Sequence, residues 1–170
     1  MSAGAGSLQP WRWIGVPMLQ AMVLTVAFAT PLRLFGLQLP EPVFAMWPVF
    51  AWAMIRPAIL GPFAVLILGL FLDLFWGATV GLWSVSLLVA YGCVLGTRSM
   101  MLGQAGVVLW AWYAAVTGIA LCSAYLITLS RVDTAAYLPS VIWQYLATIL
   151  LYPLSHRLIE RFEDADVRFR

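Results

Sequence analysis

The chain has 170 residues, of which 64% are hydrophobic and 9% are charged, and its mean hydropathy is +0.95. Soluble domains carry about 25% charged residues, so this composition excludes an ordinary soluble protein and predicts an integral membrane protein. The net charge of +2 comes from nine scattered arginines, and because they form no basic cluster we expect no nucleic-acid partner.

Hydropathy, charges and prolines divide the chain into six apolar segments. Their approximate bounds are 14–35, 43–55, 57–76, 81–95, 105–129 and 138–159. We therefore predict an all-α fold, a polytopic membrane helical bundle of about six transmembrane helices. A single transmembrane domain over 13–159 would lie between a cytoplasmic N-terminal tail, 1–12, and a cytoplasmic C-terminal tail, 160–170. A five-span alternative would place the two termini on opposite sides of the membrane.

The second and fourth segments are too short to cross a hydrocarbon core of about 30 Å in an upright orientation. Either neighbouring helices and local thinning of the bilayer support them, or one of them is re-entrant. Pro40 and Pro42 flank Glu41 and predict a stiff turn before the second segment, and Pro48 predicts a kink within it.

The arginines indicate the orientation of the bundle. With a cytoplasmic N-terminus, the outer loops contain Arg33 and Arg131. The inner segments then contain Arg12, Arg56, Arg98, Arg157, Arg161, Arg168 and Arg170. Seven against two follows the positive-inside rule, so both termini are expected in the cytoplasm.

One carboxylate, Asp73, lies inside the third apolar segment, where an ionisable side chain is costly and by default marks a site with a partner. Gly69, Gly77 and Gly81 recur with it at every fourth residue. On a continuous helix this spacing forms one stripe of small residues, which would let another backbone approach the charge. We predict that these four residues bind a partner helix or form a structural contact.

The charge on Asp73 also needs compensation. Near the C-terminal end of a helix, where the helix dipole is negative, an aspartate is unfavourable unless another group offsets it. Arg33 and Arg131, in the predicted outer loops, are the candidate ion-pair partners. The alternative is that Asp73 lies beside Trp76 at the membrane interface and reaches the headgroups.

Other catalytic signals are sparse. The single histidine, His156, lies beside Arg157 and Glu160 at the inner end of the last segment, where a solvated role is expected. No acid, base or metal-binding partner accompanies the serines and cysteines of the spans, which are Ser84, Ser86, Ser123, Cys93 and Cys122. We therefore expect no catalytic site, no metal site and no cofactor.

Two regions of the sequence together resemble a known family. Pro40 and Pro42 precede a short helix with Pro48, and the third segment contains Gly69-Leu70 and Asp73-Leu74, followed by Gly77 and Gly81. This pattern resembles the rod shape-determining protein MreD family, most densely over 40–91. The resemblance implies a noncatalytic inner-membrane subunit of the bacterial elongasome, which supports lateral peptidoglycan synthesis and rod cell shape.

The resemblance also implies partners. They are MreC, through it the penicillin-binding transpeptidase and the RodA glycosyltransferase, indirectly the MreB filaments, and the surrounding membrane lipid. On this view Asp73 and the glycines seat a partner helix. Replacing Asp73 with Leu would then weaken co-purification of MreC or disturb rod shape while leaving the protein level intact.

A second interpretation comes from another class. Six short helices also resemble the substrate-binding subunit of energy-coupling-factor vitamin transporters, and the MreD family is thought to share that fold. A vitamin binder needs a closed polar cavity under the outer loops, whereas a groove open to lipid favours a scaffold. The polar residues of the spans are scattered along the sequence: Gln20, Thr25, Asp73, Thr117, Thr128 and Gln144.

Overall fold

The computed structural model describes residues 11–29, 33–34, 37–38, 41–55, 59–131 and 138–167. Helices dominate these ranges, as the sequence predicts. A π-helical turn, Trp11–Gly15, leads into α1. The helices are α1 Val16–Phe28, α2 Met46–Ile55, α3 Leu60–Phe75, α4 Leu82–Met101, α5 Gly106–Arg131, α6 Leu138–Ile149 and α7 Tyr152–Val167. Between α1 and α2, strands β1 Arg33–Leu34 and β2 Leu37–Gln38 pair antiparallel, with Arg33 opposite Gln38.

Two of the helices, α4 and α5, are long and apolar enough to cross a membrane, judged by length and composition. The fourth predicted segment was too short, because it ended at 95 whereas α4 continues to Met101 and has 20 residues. Arg98 suggested that earlier end, but its charge is accommodated within the fold. The first predicted segment was too long, because α1 ends at Phe28. Pro31 follows in the sequence, and a proline disfavours helix at the residue before it.

The sixth predicted segment is divided into two helices. Pro153 lacks the N–H that would bond the carbonyl of Ile149, so a continuous helix cannot pass this point without loss. The Leu151 N–H donates to the Thr148 carbonyl at 3.0 Å, and the Leu154 N–H donates to the Leu151 carbonyl at 3.0 Å. These tighter turns connect α6 to α7. Helix α7 then continues into the predicted C-terminal tail.

Helix α2 is the centre of the bundle. Every residue from Met46 to Met54 is buried, and α1, α3, α4 and α7 all pack against it. A helix that is apolar on all sides is expected to be buried in this way. Its ten residues span about 15 Å, and neighbouring helices enclose it. Pro48 lies in the first turn, where a proline removes no intrahelical hydrogen bond, so the predicted kink has no cause there.

Polar contacts fix α2 along its length. The Trp52 indole Nε1–H donates to the Trp13 carbonyl at 2.8 Å, and the Ser155 hydroxyl donates to the Trp47 carbonyl at 3.0 Å. These bonds attach the central helix to the start of the first helical segment and to α7. The register of α2 is therefore set by hydrogen bonds to distant parts of the sequence.

Helices α3 and α4 approach each other closely at two glycines. Gly61 lies against the Tyr91 side chain, and Gly69 lies against the backbone of Ser84. A Cβ atom on Gly69 would overlap the Ser84 Cα and would come within 2.7 Å of the Ser84 nitrogen. Because backbone cannot move aside as a flexible side chain does, this contact requires glycine.

We predict that Gly69→Ala destabilises the protein by about 1–3 kcal/mol, the usual cost of overpacking a well-packed contact. Gly92→Ala is the matched control, because Gly92 lies within α4 and an added Cβ there would have no neighbour within 4 Å. Alanine in place of glycine inside a helix is favourable by about 0.5–1 kcal/mol. Thermal unfolding of the purified variants in detergent measures both changes. Equal midpoints for the two variants would contradict the close approach.

Candidate functional site at the turn between α3 and α4

Asp73 lies near the end of α3, is 1% exposed and accepts hydrogen bonds from the first turn of α4. Its Oδ2 accepts from the Gly81 N–H at 2.8 Å and its Oδ1 from the Trp83 N–H at 2.7 Å. The Ser84 hydroxyl donates to Oδ2 at 3.0 Å, and the Ser84 N–H lies 3.5 Å from the same oxygen. The carboxylate is therefore surrounded by donors from one helix end.

The local sequence explains why α4 needs this carboxylate. The first N–H groups of a helix have no intrahelical acceptor, and the side chain at the N-cap usually supplies one. Here the N-cap is Gly81, which has no side chain, and its φ of +100° lies in the left-handed region. Asp73 provides the missing acceptor from the preceding helix. Its negative charge also lies at the positive end of the α4 dipole, which favours it.

The main chain of Asp73 closes the end of α3. The Ala78 N–H donates to the Asp73 carbonyl at 2.9 Å, and Gly77 has a φ of +62°. This pattern is a Schellman motif, in which a residue in the left-handed conformation follows the last helical turn. One residue thus ends α3 through its carbonyl and starts α4 through its carboxylate.

The predicted stripe of four residues on one helix was wrong in its second half. Gly69 and Asp73 belong to α3, but α3 ends at Phe75, so Gly77 and Gly81 lie in the turn. Glycine enters the left-handed region without the steric cost of a Cβ atom, which lets the chain leave the helix at Gly77. An added Cβ at Gly77 or at Gly81 would meet nothing within 4 Å, so these two positions require glycine for conformation rather than for space.

The stripe that α3 does present begins about two turns earlier, at Gly61. Gly61, Val65, Gly69 and Asp73 are all buried and follow the same four-residue spacing. Gly61 and Gly69 contact α4, and Asp73 bonds it. The close backbone approach that the spacing predicted is therefore present, and it is made with α4 of the same chain.

Within the described residues, hydrogen-bond donors compensate the Asp73 charge, and the predicted ion pair with Arg33 or Arg131 stays a prediction. The side chains of Arg33 and Arg131 lie outside the part of the chain whose side chains the structure describes. Within the described part, backbone N–H groups and the Ser84 hydroxyl surround the carboxylate. At 1% exposure, Asp73 does not reach the surface beside Trp76.

The segment before α2 covers this turn. The Trp76 indole Nε1–H donates to the Glu41 carboxylate at 3.1 Å, and the Gln144 side-chain amide donates to the Glu41 carbonyl at 3.2 Å. The Trp76 and Trp83 rings meet edge to face at 5.0 Å. Glu41 therefore connects the end of α3 with α6, and Asp73 lies in the same corner of the fold.

This arrangement leaves Asp73 little capacity for chemistry. A carboxylate has about four lone-pair sites, and four donors already lie against this one. A general base needs a free lone pair directed at the proton that it removes. Among the described residues, no group of three His, Cys, Asp or Glu side chains could hold a metal ion.

The remaining candidates occupy separate places. His156 Nε2 lies 3.2 Å from the Glu160 carboxylate, one turn further along α7, and its ring stacks on Tyr152 at 5.6 Å. Cys93 and Cys122 are free thiols. The hydroxyls of Ser86 and Ser123 donate to carbonyls of their own helices. None of these residues lies at the Asp73 turn.

Sequence reasoning missed two residues. For Ser84 no acid or base partner was predicted, yet its hydroxyl donates to the carboxylate of Asp73, eleven positions earlier. The signal was a helix start at Gly81 without a capping side chain. Arg98 was used only to orient the bundle. It donates through Nε to the Met54 carbonyl at 2.9 Å and through Nη2 to the Ile55 carbonyl at 3.3 Å, and so caps the C-terminal end of α2.

Two surface grooves involve α5 and α6, and the smaller of them borders this turn at Ala78, Leu82 and Trp83. One, of about 480 Å³ between α5 and α6, is lined by apolar groups and includes the exposed side chains of Leu126 and Ile142. The other, of about 230 Å³ between α4, α5 and α6, includes Thr128 and Gln144. The Gln144 amide is already bonded to Glu41. Polar groups that could converge on a ligand are therefore few in both.

Comparison of the chain with models of protein families, with curated proteins and with solved structures finds no match. The functional conclusion therefore depends on the residue pattern and on the geometry of the turn. Both concern the same residues, Gly69, Asp73, Gly77 and Gly81.

We predict that Asp73→Leu destabilises the fold by about 2 kcal/mol or more, because it leaves several buried N–H groups of α4 without an acceptor. The protein level should therefore fall, in contrast to the expectation from sequence. Asp73→Asn keeps one acceptor oxygen and should cost less. Ser84→Ala removes a single donor and should cost about 1 kcal/mol. Unfolding midpoints of the purified variants give the order, and an Asp73→Leu variant as stable as the original would contradict the capping role.

We predict that Gly77→Ala destabilises the turn by about 1–2 kcal/mol, the cost of a left-handed conformation in a residue with a Cβ atom. Gly77→Asn is the matched variant, since asparagine adopts this conformation more readily. Because an added Cβ meets no neighbour, only conformation separates the two substitutions. Asparagine should therefore retain more of the stability in the same unfolding assay, and a variant order with alanine above asparagine would contradict the Schellman turn.

Proposed function

We propose that the protein is a polytopic membrane protein and a noncatalytic subunit of the bacterial elongasome, which binds MreC and supports rod cell shape. The observation that carries the proposal is the hydrogen bonding of the Asp73 carboxylate. The residue pattern that resembles the MreD family contains one buried carboxylate, and that carboxylate binds the first turn of α4. Such a residue builds a rigid surface rather than performing a reaction.

The lengths of the helices support the membrane part of the proposal. At about 1.5 Å per residue, the 20 residues of α4 and the 26 of α5 extend about 30 Å and 39 Å, enough for a hydrocarbon core of about 30 Å. Helix α2 would complete its crossing with residues 41–45 and under the cover of its neighbours. Non-helical backbone inside a bilayer needs hydrogen-bond partners within the protein, because lipid supplies none. The Val43 N–H has such a partner, since it donates to the Thr148 hydroxyl at 3.0 Å.

The exterior supports the same conclusion. Large apolar side chains are exposed along helix after helix, and such a continuous apolar surface suits lipid rather than water. On α3 these are Leu66, Ile67, Leu70 and Leu74, and on α6 they are Leu138, Ile142, Trp143 and Leu146. The arginine distribution favours six crossings with both termini in the cytoplasm of a bacterium, the protein lying in the inner membrane.

The interior supports a scaffold. Six of the buried polar side chains hydrogen bond within the fold: Thr25, Asp73, Ser84, Ser86, Thr148 and Ser155. The bonds of Asp73, Ser84 and Ser155 join different helices. The hydroxyls of Thr25, Ser86 and Thr148 donate within their own helices, and together these bonds leave few polar groups for a substrate. The apolar groove between α5 and α6 opens on the exterior, which weighs toward the scaffold and against a vitamin-binding transporter subunit.

The elongasome assignment provides a mechanism. A bundle whose helices are fixed by Asp73 and Arg98 offers MreC a stable intramembrane surface. MreC would then be oriented toward the penicillin-binding transpeptidase and RodA on one side, and toward MreB filaments on the other. The protein itself needs no catalytic group and no cofactor for this role.

A tagged form of the protein, expressed from its own locus and isolated from its own membranes in mild detergent, tests the proposal. We expect mass spectrometry to recover MreC and the cell-wall synthases, and we expect loss of the gene to convert rods into rounded cells. A tagged membrane protein of another family, expressed at the same level, controls for nonspecific capture. Recovery of transporter ATPases or of a vitamin, with rod shape intact after gene loss, would contradict the assignment.

A further inference from the structure

A third groove, of about 540 Å³, lies between α1, α2 and α7. Aliphatic side chains of α1 and α7 form its walls, among them Val23 and Leu154. Three polar residues also line it: Gln20 on α1, Trp47 on α2 and Arg157 on α7. The groove thus combines an apolar interior with hydrogen-bond donors and one positive charge.

Trp47 carries an unpaired donor at this groove. Its side chain is 4% exposed, and among the described residues its indole Nε1–H has no hydrogen-bond acceptor. The indoles of Trp52 and Trp76 both have one. Buried polar groups in native proteins are almost always hydrogen-bonded, so the Trp47 N–H indicates an acceptor that the described residues do not supply.

Arg157 supplies the charge. The side chain is exposed, and among the described side chains the ion pair on this helix joins His156 and Glu160, not Arg157. Ser155, two residues earlier, bonds the Trp47 carbonyl, so Arg157 lies on α7 close to the level of Trp47. On the proposed topology this is the cytoplasmic half of the bundle.

We propose that the groove binds one anionic phospholipid of the cytoplasmic leaflet, the leaflet nearer to Arg157. One acyl chain packs against the aliphatic walls, Arg157 binds the phosphate, and Trp47 and Gln20 donate hydrogen bonds to the ester oxygens. Basic pockets between transmembrane helices on the cytoplasmic side select anionic headgroups in this way. The site requires that the protein lie in a membrane but does not depend on the elongasome assignment.

The dimensions of the groove favour a lipid over a partner helix. On α1 its lining extends from Leu19 to Leu24, which is about 8 Å along the helix axis. A spanning partner helix would need a contact surface along most of the bilayer thickness. The charge at one end and the short apolar interior match a headgroup with the upper part of one chain.

Native mass spectrometry of the full-length protein in detergent, titrated with phosphatidylglycerol or with phosphatidylcholine, tests the site. We expect one phosphatidylglycerol to bind with clear preference over phosphatidylcholine. Arg157→Gln should weaken phosphatidylglycerol binding about fivefold and remove the preference, as expected for one arginine at an anionic lipid. Arg157→Lys should retain most of the preference, because it keeps the charge.

A second pair of variants tests the groove independently of the charge. Val23→Trp fills the groove and should abolish lipid binding. Val26→Trp is its matched control, since Val26 lies on the same helix, is similarly exposed and does not line the groove. Equal lipid binding by the two tryptophan variants would overturn the proposal, as would equal affinity of the original protein for both lipids. Displacement of the lipid by a co-purifying membrane helix would assign the groove to that helix instead.

Discussion

Asp73 places a carboxylate where α3 ends and α4 begins, and both helices need it. Its carbonyl completes the last turn of α3, and its side-chain oxygens accept from the first turn of α4 at 2.7–3.0 Å. A buried carboxylate without partners would be strongly unfavourable in an apolar interior, and so would the unpaired N–H groups of α4. The carboxylate and the N–H groups satisfy each other by hydrogen bonding. Together with the close approach at Gly61 and Gly69, this contact fixes α3 against α4.

The same principle operates a second time, with the sign of the charge reversed. Arg98, in the last turns of α4, donates to the carbonyls of Met54 and Ile55 at the end of α2. A cation at the negative end of a helix dipole is favourable, as is an anion at the positive end. The negative charge of Asp73 therefore lies at the start of α4, and Arg98 of α4 places a positive charge at the end of α2. This explains how a short, fully buried helix such as α2 is held without an ion pair to it among the described residues.

These contacts bear on the proposed role in the elongasome. Buried polar side chains such as Asp73 and Ser155 join neighbouring helices, and apolar side chains cover much of the exterior. A protein built in this way would act through the shape of its surface. The proposed lipid site at Trp47 and Arg157 fits this scheme, because a bound phospholipid would fill a recess between α1 and α7 and complete that surface.

The sequence by itself determined the helical class and the approximate positions of the helices, because hydropathy is a local property. It also determined that Asp73 must have a partner, because a single carboxylate in an apolar run is costly. Only the tertiary structure decided that the partner is the start of α4, that Gly77 and Gly81 form a turn, and that α2 is enclosed on all sides. The physical reason is that composition sets what must be buried, whereas the donors that meet a buried charge depend on which helix end the folded chain brings beside it.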